Sequence, residues 1–292
     1  EKLFNIIKPE FPYHLVNFSH YKRDSCRLND AFKEKFITES RRLLQNRLNG
    51  KIDPSLSYMN KSTFVKYDMD KTFFIKNKKP KVIIWSHDFF DSPHVRGWLL
   101  FEDYFEWLKF ILVSADTESN DYFVKVHPNS SVSNLNVINN LLIKFAKIRL
   151  IPKSISTNQL VSEGIDLVIT NHGTVAHELP LLGVPVLSSG NNPHISYSFS
   201  YTVQSKMEFK KIIKNPNLYP LLKSKLEIEN EIYDYYFMHY LKENSKLSKE
   251  NRLFQSYLRG IHTIQDFNLF VNKLNSQHYK TQLSQLYNTK NI

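Results

Sequence analysis

The chain has 292 residues and a mass of 34.5 kDa, room for one large domain or two ordinary ones. Its 41% hydrophobic, 14% aromatic and 23% charged residues exclude wholesale disorder. A single cysteine, Cys26, excludes a disulfide scaffold and a multi-cysteine zinc site, and fits a reducing compartment.

No run qualifies as a membrane span. The longest uncharged stretch, Leu179 to Ser205, is broken by prolines, asparagines, serines and His194. No signal peptide is visible, and the chain opens on Glu1 rather than Met, which leaves open a missing N-terminal segment. The net charge of +11 is uneven: residues 1–79 carry 17 basic against 9 acidic groups, residues 80–200 carry 8 against 11, and residues 201–292 carry 14 against 8. The basic surface therefore belongs to the flanks. Phe36, Arg41, Arg42 and Arg47 recur there at helical spacing, which reads as a core face beside a solvated face. No nucleic-acid partner is expected; an acidic glycan or an anionic membrane face accounts for the flanks at least as well.

In chain order, Ala31 to Leu48 predicts an amphipathic helix stopped at Asn49-Gly50. Lys81 to Trp85 is a buried strand, and Leu99 to Val113 a helix with apolar residues at Leu100, Tyr104, Trp107, Leu108 and Ile111. Tyr122 to Val126 is a second strand, stopped by Pro128. Leu135 to Ala146 is a helix capped by Asn134, and Ile148 to Ile151 a third strand. Thr157 to Glu163 is a short helix closed by Gly164, and Asp166 to Thr170 a fourth strand. Thr174 to Leu182 is a helix ended by Gly183, and Val184 to Leu187 a fifth strand. Helices follow at Met207–Ile213, Leu221–Tyr240, Leu253–Leu258 and Ile264–Leu274, and the last fifteen residues are polar.

Short apolar strands alternating with helices, without strict in/out alternation, define an α/β fold: a Rossmann-like, doubly wound parallel sheet with helical N- and C-terminal flanks. The strand order is not legible. Three regions are expected: 1–79, mostly helical and basic; 80–204, the Rossmann-like domain; and 205–292, helices packing back on the N-terminal side.

Chemistry concentrates in the middle region. Four of the seven glycines (Gly164, Gly173, Gly183, Gly190) fall within a span of 27 residues there, and six of the eleven histidines (His87, His94, His127, His172, His177, His194) fall between 87 and 194. The first motif, Asn171-His-Gly-Thr-Val-Ala-His-Glu178, follows the fourth strand and opens a helix. Gly173 lets the chain turn, Thr174 can cap the helix, and the helix amides suit a phosphate. Glu178, one turn on, is placed to accept hydrogen bonds from a ribose diol. The plainer reading has Thr174 as an ordinary cap and Glu178 as a solvated charge. The second motif, Val124-Lys-Val-His-Pro-Asn129, ends the second strand, where Lys125 and His127 leave one face and His127 can donate to a departing phosphate. The third, Trp85-Ser-His-Asp-Phe-Phe-Asp-Ser-Pro-His94, holds two carboxylates and two imidazoles suited to proton transfer. Asp91 and His87 lead as candidates for base or nucleophile, with Asp88 and His94 behind them. A metal site and a plain polar loop are the other readings, and spacing alone assigns no single base. His177 reads as packing or surface, and Asn191-Asn-Pro-His194 as either crevice lining or loop.

The stretch DLVITNHGTVAHELPLLGVPVLSSG resembles the donor-nucleotide site of GT-B fold glycosyltransferases, with a strand, a Gly-containing turn, a Glu one turn into the helix, and a GxPV step into the next strand. Lys125-Val-His127-Pro128, about 45 residues earlier, resembles the K-x-H-P of bacterial capsule polysaccharide transferases, Kdo transferases among them. The resemblance implies a metal-independent glycosyltransferase in capsule or surface polysaccharide synthesis. Its donor would be a nucleotide-activated sugar, cytidine-linked such as CMP-Kdo, and its acceptor a glycan or glycolipid. It implies donor contacts from Lys125, His127, His172, Gly173, Thr174 and Glu178, no cofactor and no metal, and a cytoplasmic protein with peripheral contact at the inner membrane face. A GT-B enzyme has two Rossmann-like domains, so residues 1–79 are expected to be a short or truncated acceptor side. A UDP-N-acetylglucosamine 2-epimerase-like enzyme shares the His127-Pro128-Asn129 turn, but usually carries Gly-Gly and paired Glu where this chain has Gly173-Thr174 and His177-Glu178. A binding module without turnover is the non-enzymatic alternative.

Overall fold

The computed structural model describes residues 18–52, 62–65, 72–90, 100–127, 129–219 and 224–242. The chain divides into two compact units, Glu1–His239 and Tyr240–Ile292. The sheet and the site lie in the first; of the second, residues 240–242 are described, and they end a π-helical turn, Phe237–Lys242. The helices expected at 253–258 and 264–274 lie outside the described residues, as do Asp91, His94 and Pro128.

Six parallel strands form one sheet: β1 (Lys81–Ser86), β2 (Asp121–Val126), β3 (Arg149–Leu150), β4 (Leu167–Ile169), β5 (Val186–Ser189) and β6 (Tyr201–Val203), in the order β3-β2-β1-β4-β5-β6. This is the Rossmann order, and it reverses direction between β1 and β4. Side-chain parity explains why the strands read as unbroken apolar runs. Val82, Ile84, Tyr122, Val124, Leu167, Ile169 and Leu187 face one core cluster, while Ile83, Trp85, Phe123, Val168 and Val186 face another. Alternate residues point to opposite faces, and both faces are covered.

The helices divide accordingly. Those after β1 and β2, α3 (Tyr104–Ser114) and α4 (Val132–Ile143), place Trp107, Leu108, Ile111 and Ile138 in the first cluster. Those before and after β4, α5 (Thr157–Glu163) and α6 (Val175–Glu178), place Leu160, Val175 and Ala176 in the second. A change of helix face at the β1/β4 junction produces the reversal in strand order. After β6, α7 (Lys206–Lys214) returns Phe209, Ile212 and Ile213 to the first cluster.

Several boundaries differ from expectation for local reasons. The α3 helix starts at Tyr104 because the Asp103 carboxylate caps it, accepting from the Glu106 amide at 2.7 Å. Ser131 rather than Asn134 caps α4, accepting from the Asn134 amide at 3.1 Å. The expected helix at 174–182 is a single α turn followed by a 3₁₀ turn, Pro180–Leu182. The β6 strand was not expected; its three residues pair with β5 at Leu187, Ser188 and Ser189.

Outside the sheet, α1 (Tyr21–Ser25) and α2 (Asp30–Leu48) pack against α8 (Lys225–Tyr236). Lys33 meets Asp234 at 2.8 Å, and Phe36 stacks on Phe237 with ring centroids 5.0 Å apart. The end of α2 is fixed by Gly50, whose φ of +86° suits glycine and whose Cα closely approaches the Phe64 carbonyl. A β-carbon at Gly50 would sit 2.2 Å from that oxygen. Gly50→Ala is therefore expected to destabilise the protein by at least about 1–3 kcal/mol, read as a lower urea midpoint at unchanged slope.

Candidate functional site

The reversal between β1 and β4 brings three histidines to adjacent strand ends: His127 just past β2, His87 just past β1, and His172 just past β4. In an open α/β sheet this edge is where the ligand crevice lies.

Hydrogen-bond partners fix the state of each ring. The Asn129 amide donates to His127 Nδ1 at 3.1 Å, so the proton of the neutral ring sits on Nε2. Burial holds the His127 pKa below its ordinary value, reinforced by the charges of Arg47 and Lys153 and opposed by Asp88. His127 is thus a neutral Nε2–H donor near pH 7. The His172 amide donates to His87 Nε2 at 3.0 Å, which occupies the lone pair that His87 would need there to act as a base. His172 Nε2 lies 2.7 Å from the Asn191 carbonyl and so donates to it, while its Nδ1 accepts from the Tyr104 hydroxyl at 3.3 Å. Tyr104 in turn stacks on His87 with centroids 4.7 Å apart.

His172 is consequently committed through both ring nitrogens, and its part is to hold the ends of β1, β4 and β5 together. Lys125, expected among the donor contacts, is also engaged within the fold. It is 3% exposed, lies over the Trp85 ring, and donates to the Ile155 carbonyl at 2.7 Å. Burial lowers its pKa to about 8. Asp88 joins the β1 and β2 loops by accepting from the Ser131 amide and hydroxyl, both at 3.2 Å, and from the Phe90 amide at 3.1 Å. Asn134 does the same from below, accepting from the Phe89 amide at 3.0 Å and donating to Ser130 Oγ at 2.6 Å.

The turn after β4 differs in detail from its sequence reading. Gly173 is required by proximity, since a β-carbon there would meet Thr170 Oγ1 at 2.6 Å. The amides of Gly173, Thr174 and Val175 donate to no group among the described residues. Thr174 makes no side-chain cap; its hydroxyl accepts from Arg47 Nη2 at 3.1 Å. Glu178 is not solvated but 1% exposed, ion-paired with Arg47 Nε. Arg47, read from sequence as part of a solvated basic flank, is 3% exposed. Its burial was legible in one respect: Ser40, Leu43, Leu44 and Arg47 follow the i, i+3, i+4, i+7 spacing of a single buried stripe.

Open space lies beside these strand ends, in a cavity of about 400 Å³ lined by Asp88, Phe90, Ser131 and Ser133. The Phe90 ring beside it is 67% exposed. Among the described residues no group of three or more His, Cys, Asp or Glu is arranged to hold a metal ion, and no helix is long and apolar enough to cross a membrane.

No protein-family model and no curated protein matches the sequence. Among solved structures, the chain is similar to two Kdo transferases of Thermosulfurimonas dismutans. The KpsC beta Kdo 2,4 transferase aligns at 16% identity and a TM-score of 0.40 over 68% of this chain and 55% of its own. The KpsC beta Kdo 2,7 transferase aligns at 11% identity and 0.44 over 76% and 59%. The UDP-GlcNAc 2-epimerase of Neisseria meningitidis, bound to UDP-GlcNAc, aligns at 17% and 0.35 over 54% and 43%. The chain spans a little over half the length of the two transferases. At TM-scores below 0.5 these likenesses carry no weight for the site, which rests on its own residues.

Behind α6 lies a second histidine group. His177 Nδ1 is 3.2 Å from His194 Nε2, both residues are buried, and Tyr235 packs on both and on His239. Burial holds both pKa values well below the ordinary 6.5, helped at His177 by His194, Arg47 and His239, and at His194 by His239. The unfolded chain therefore takes up these protons first as the pH falls. The stability is fully present above about pH 6.5 and is lost on acidification below it, by up to about 1.4 kcal/mol per pH unit for each histidine. Urea midpoints measured between pH 7 and 5 should fall accordingly, above the range where most carboxylates titrate, and His194→Gln should flatten the slope.

Proposed function

We propose that the protein is a glycosyltransferase that takes its sugar from a nucleotide-activated donor held across the ends of β2, β1 and β4. The observation that carries this reading is His127, a neutral Nε2–H donor whose acceptor nitrogen is tied to the Asn129 amide. Such a group can hydrogen-bond the developing charge on a leaving phosphate without first gaining a proton. The amides of Gly173, Thr174 and Val175 supply further donors on the β4 side. Glu178 would accept from the ribose diol. Lys125 and His172 position the strand ends rather than touch the donor. With the His87 acceptor nitrogen engaged, the base for the acceptor hydroxyl is assigned to Asp91.

The acceptor belongs in the cavity beside Asp88 and Phe90. The Asp88 carboxylate there accepts from the Ser131 amide, which precedes α4, and so fills the position an acceptor anion would otherwise take. A neutral sugar ring fits better, with its C–H face on Phe90 and its hydroxyls toward Asp88 and Ser133. A cytidine-linked donor such as CMP-Kdo and a capsule or surface glycan acceptor are the favoured pair, in the cytoplasm where activated sugars are made. The epimerase-like reading remains the second, on the His127-Pro128-Asn129 turn, and a transfer assay with and without acceptor separates the two.

A calorimetric panel of CMP, CDP, UMP, UDP and GDP tests the donor site. A nucleotide at about a hundred times its dissociation constant should stabilise the fold by about 2.7 kcal/mol. No response to any of them would remove the donor site. In a transfer assay, His127→Ala is expected to lower kcat by about 10²–10³-fold. Phe90→Ala should instead raise the acceptor KM and leave the donor KM unchanged.

A further inference from the structure

We infer that Arg47 is the side chain that binds the donor's phosphate, and that its ion pair with Glu178 is the resting state of the site, exchanged for phosphate and ribose when the nucleotide arrives. This rests on the nucleotide-donor reading above.

Arg47 comes from the last turn of α2, outside the parallel sheet. Its base is fixed by the close approach of Gly50 to Phe64 and by Asn158 Nδ2 donating to the Leu48 carbonyl at 3.4 Å. From there it reaches two groups at the end of β4, the Thr174 hydroxyl and the Glu178 carboxylate. Its charge is also felt at His127, beyond β2. The guanidinium therefore serves both sides of the β1 strand end, where the donor phosphate must lie if His127 and the amides of residues 173–175 are to share it.

Chemistry favours the same assignment. Arginine offers a planar fork of N–H donors that matches a phosphate in two parallel bonds. Lys125, the other cation expected among the donor contacts, is engaged by the Ile155 carbonyl. A pair such as Arg47–Glu178 is also a poor device for stability alone, since an apolar pair of similar volume often does as well or better. Its position explains it. While the site is empty, each charge neutralises the other. When the donor binds, ribose hydroxyls hydrogen-bond Glu178 in place of Arg47 Nε, and the phosphate takes the guanidinium. At no stage is either buried charge left unpartnered.

The test is a calorimetric series of nucleoside, nucleoside monophosphate and nucleoside diphosphate (cytidine, CMP and CDP; uridine, UMP and UDP) against the intact chain and its Arg47→Met, Arg47→Lys and Glu178→Gln variants. Arg47→Met is expected to weaken the monophosphate and diphosphate ten- to a hundredfold and to leave the nucleoside within about twofold. Arg47→Lys keeps a cation opposite Glu178, and so guards against misfolding; it should lose about five- to tenfold on the phosphorylated ligands only. Glu178→Gln should weaken nucleoside and nucleotides alike. If Arg47 variants that melt as folded proteins bind nucleotides with unchanged affinity, or lose nucleoside and nucleotide equally, Arg47 is structural and the inference falls while the donor site stands. If the unaltered protein binds none of the six ligands, the donor site falls and this inference with it.

Discussion

A parallel sheet that is apolar on both faces leaves polar chemistry almost nowhere to go except the strand ends. Every β1 residue from Val82 to Trp85 is buried in one of two hydrophobic clusters, so the first positions free to carry imidazoles and carboxylates are Ser86 to Phe90. The same holds at His127 after β2 and at Asn171 and His172 after β4. Because the strand order turns back between β1 and β4, these ends splay apart and open a crevice. The crowding of histidines at that edge is a consequence of what the sheet excludes elsewhere.

Within that edge, most polar groups hold backbone rather than await a ligand. His172 ties the loop after β4 to the loop after β5, Asp88 and Asn134 tie the loop after β1 to the segment after β2 through Ser131 and the Phe89 amide, and Lys125 ties β2 to the segment after β3. Each bond joins segments distant in sequence, so each limits how far one strand end can move against the next. Such ties preorganise the strand ends for whatever ligand binds between them. His127 differs because, among the described residues, one of its nitrogens is engaged, by the Asn129 amide, in the sense that leaves the other as a donor.

The contrast explains what sequence could reveal. Parity, apolar runs and the glycine-marked turns gave five of the six strands and the α/β class, because those signals are local. The β6 strand, with one buried residue in three and serines on its N-terminal side, lacks the apolar run that marks the equally short β4. The location of His127, His87 and the Gly173 turn was legible from their place after strands. Their roles were not, since a role depends on which carbonyl or amide the fold brings to the nitrogen, from 2 residues away at His127 to 85 at His87. Lys125 and His172 looked like ligand-binding groups for that reason. Arg47 was missed for the opposite reason: it lies 131 residues from its carboxylate partner, and arginines on basic helices are usually solvated. Its phase on the buried stripe of α2 was the available signal, because a cation in that phase implies a buried counter-charge.

Short as it is, α6 joins two buried polar environments. Glu178 faces Arg47, while the preceding residue, His177, points into the buried aromatic and histidine group with His194 and Tyr235. The Arg47 guanidinium adds to the burial that keeps His177 neutral, and the carboxylate beside it balances the guanidinium's own charge. The Arg47–Glu178 pair therefore does two things at once. It joins α2 to the sheet, and it gives a buried counter-charge to a guanidinium whose field favours the neutral form of the imidazole next to it. A ligand that takes over Arg47 must bring negative charge of its own, and a phosphate does so where a neutral sugar alone does not.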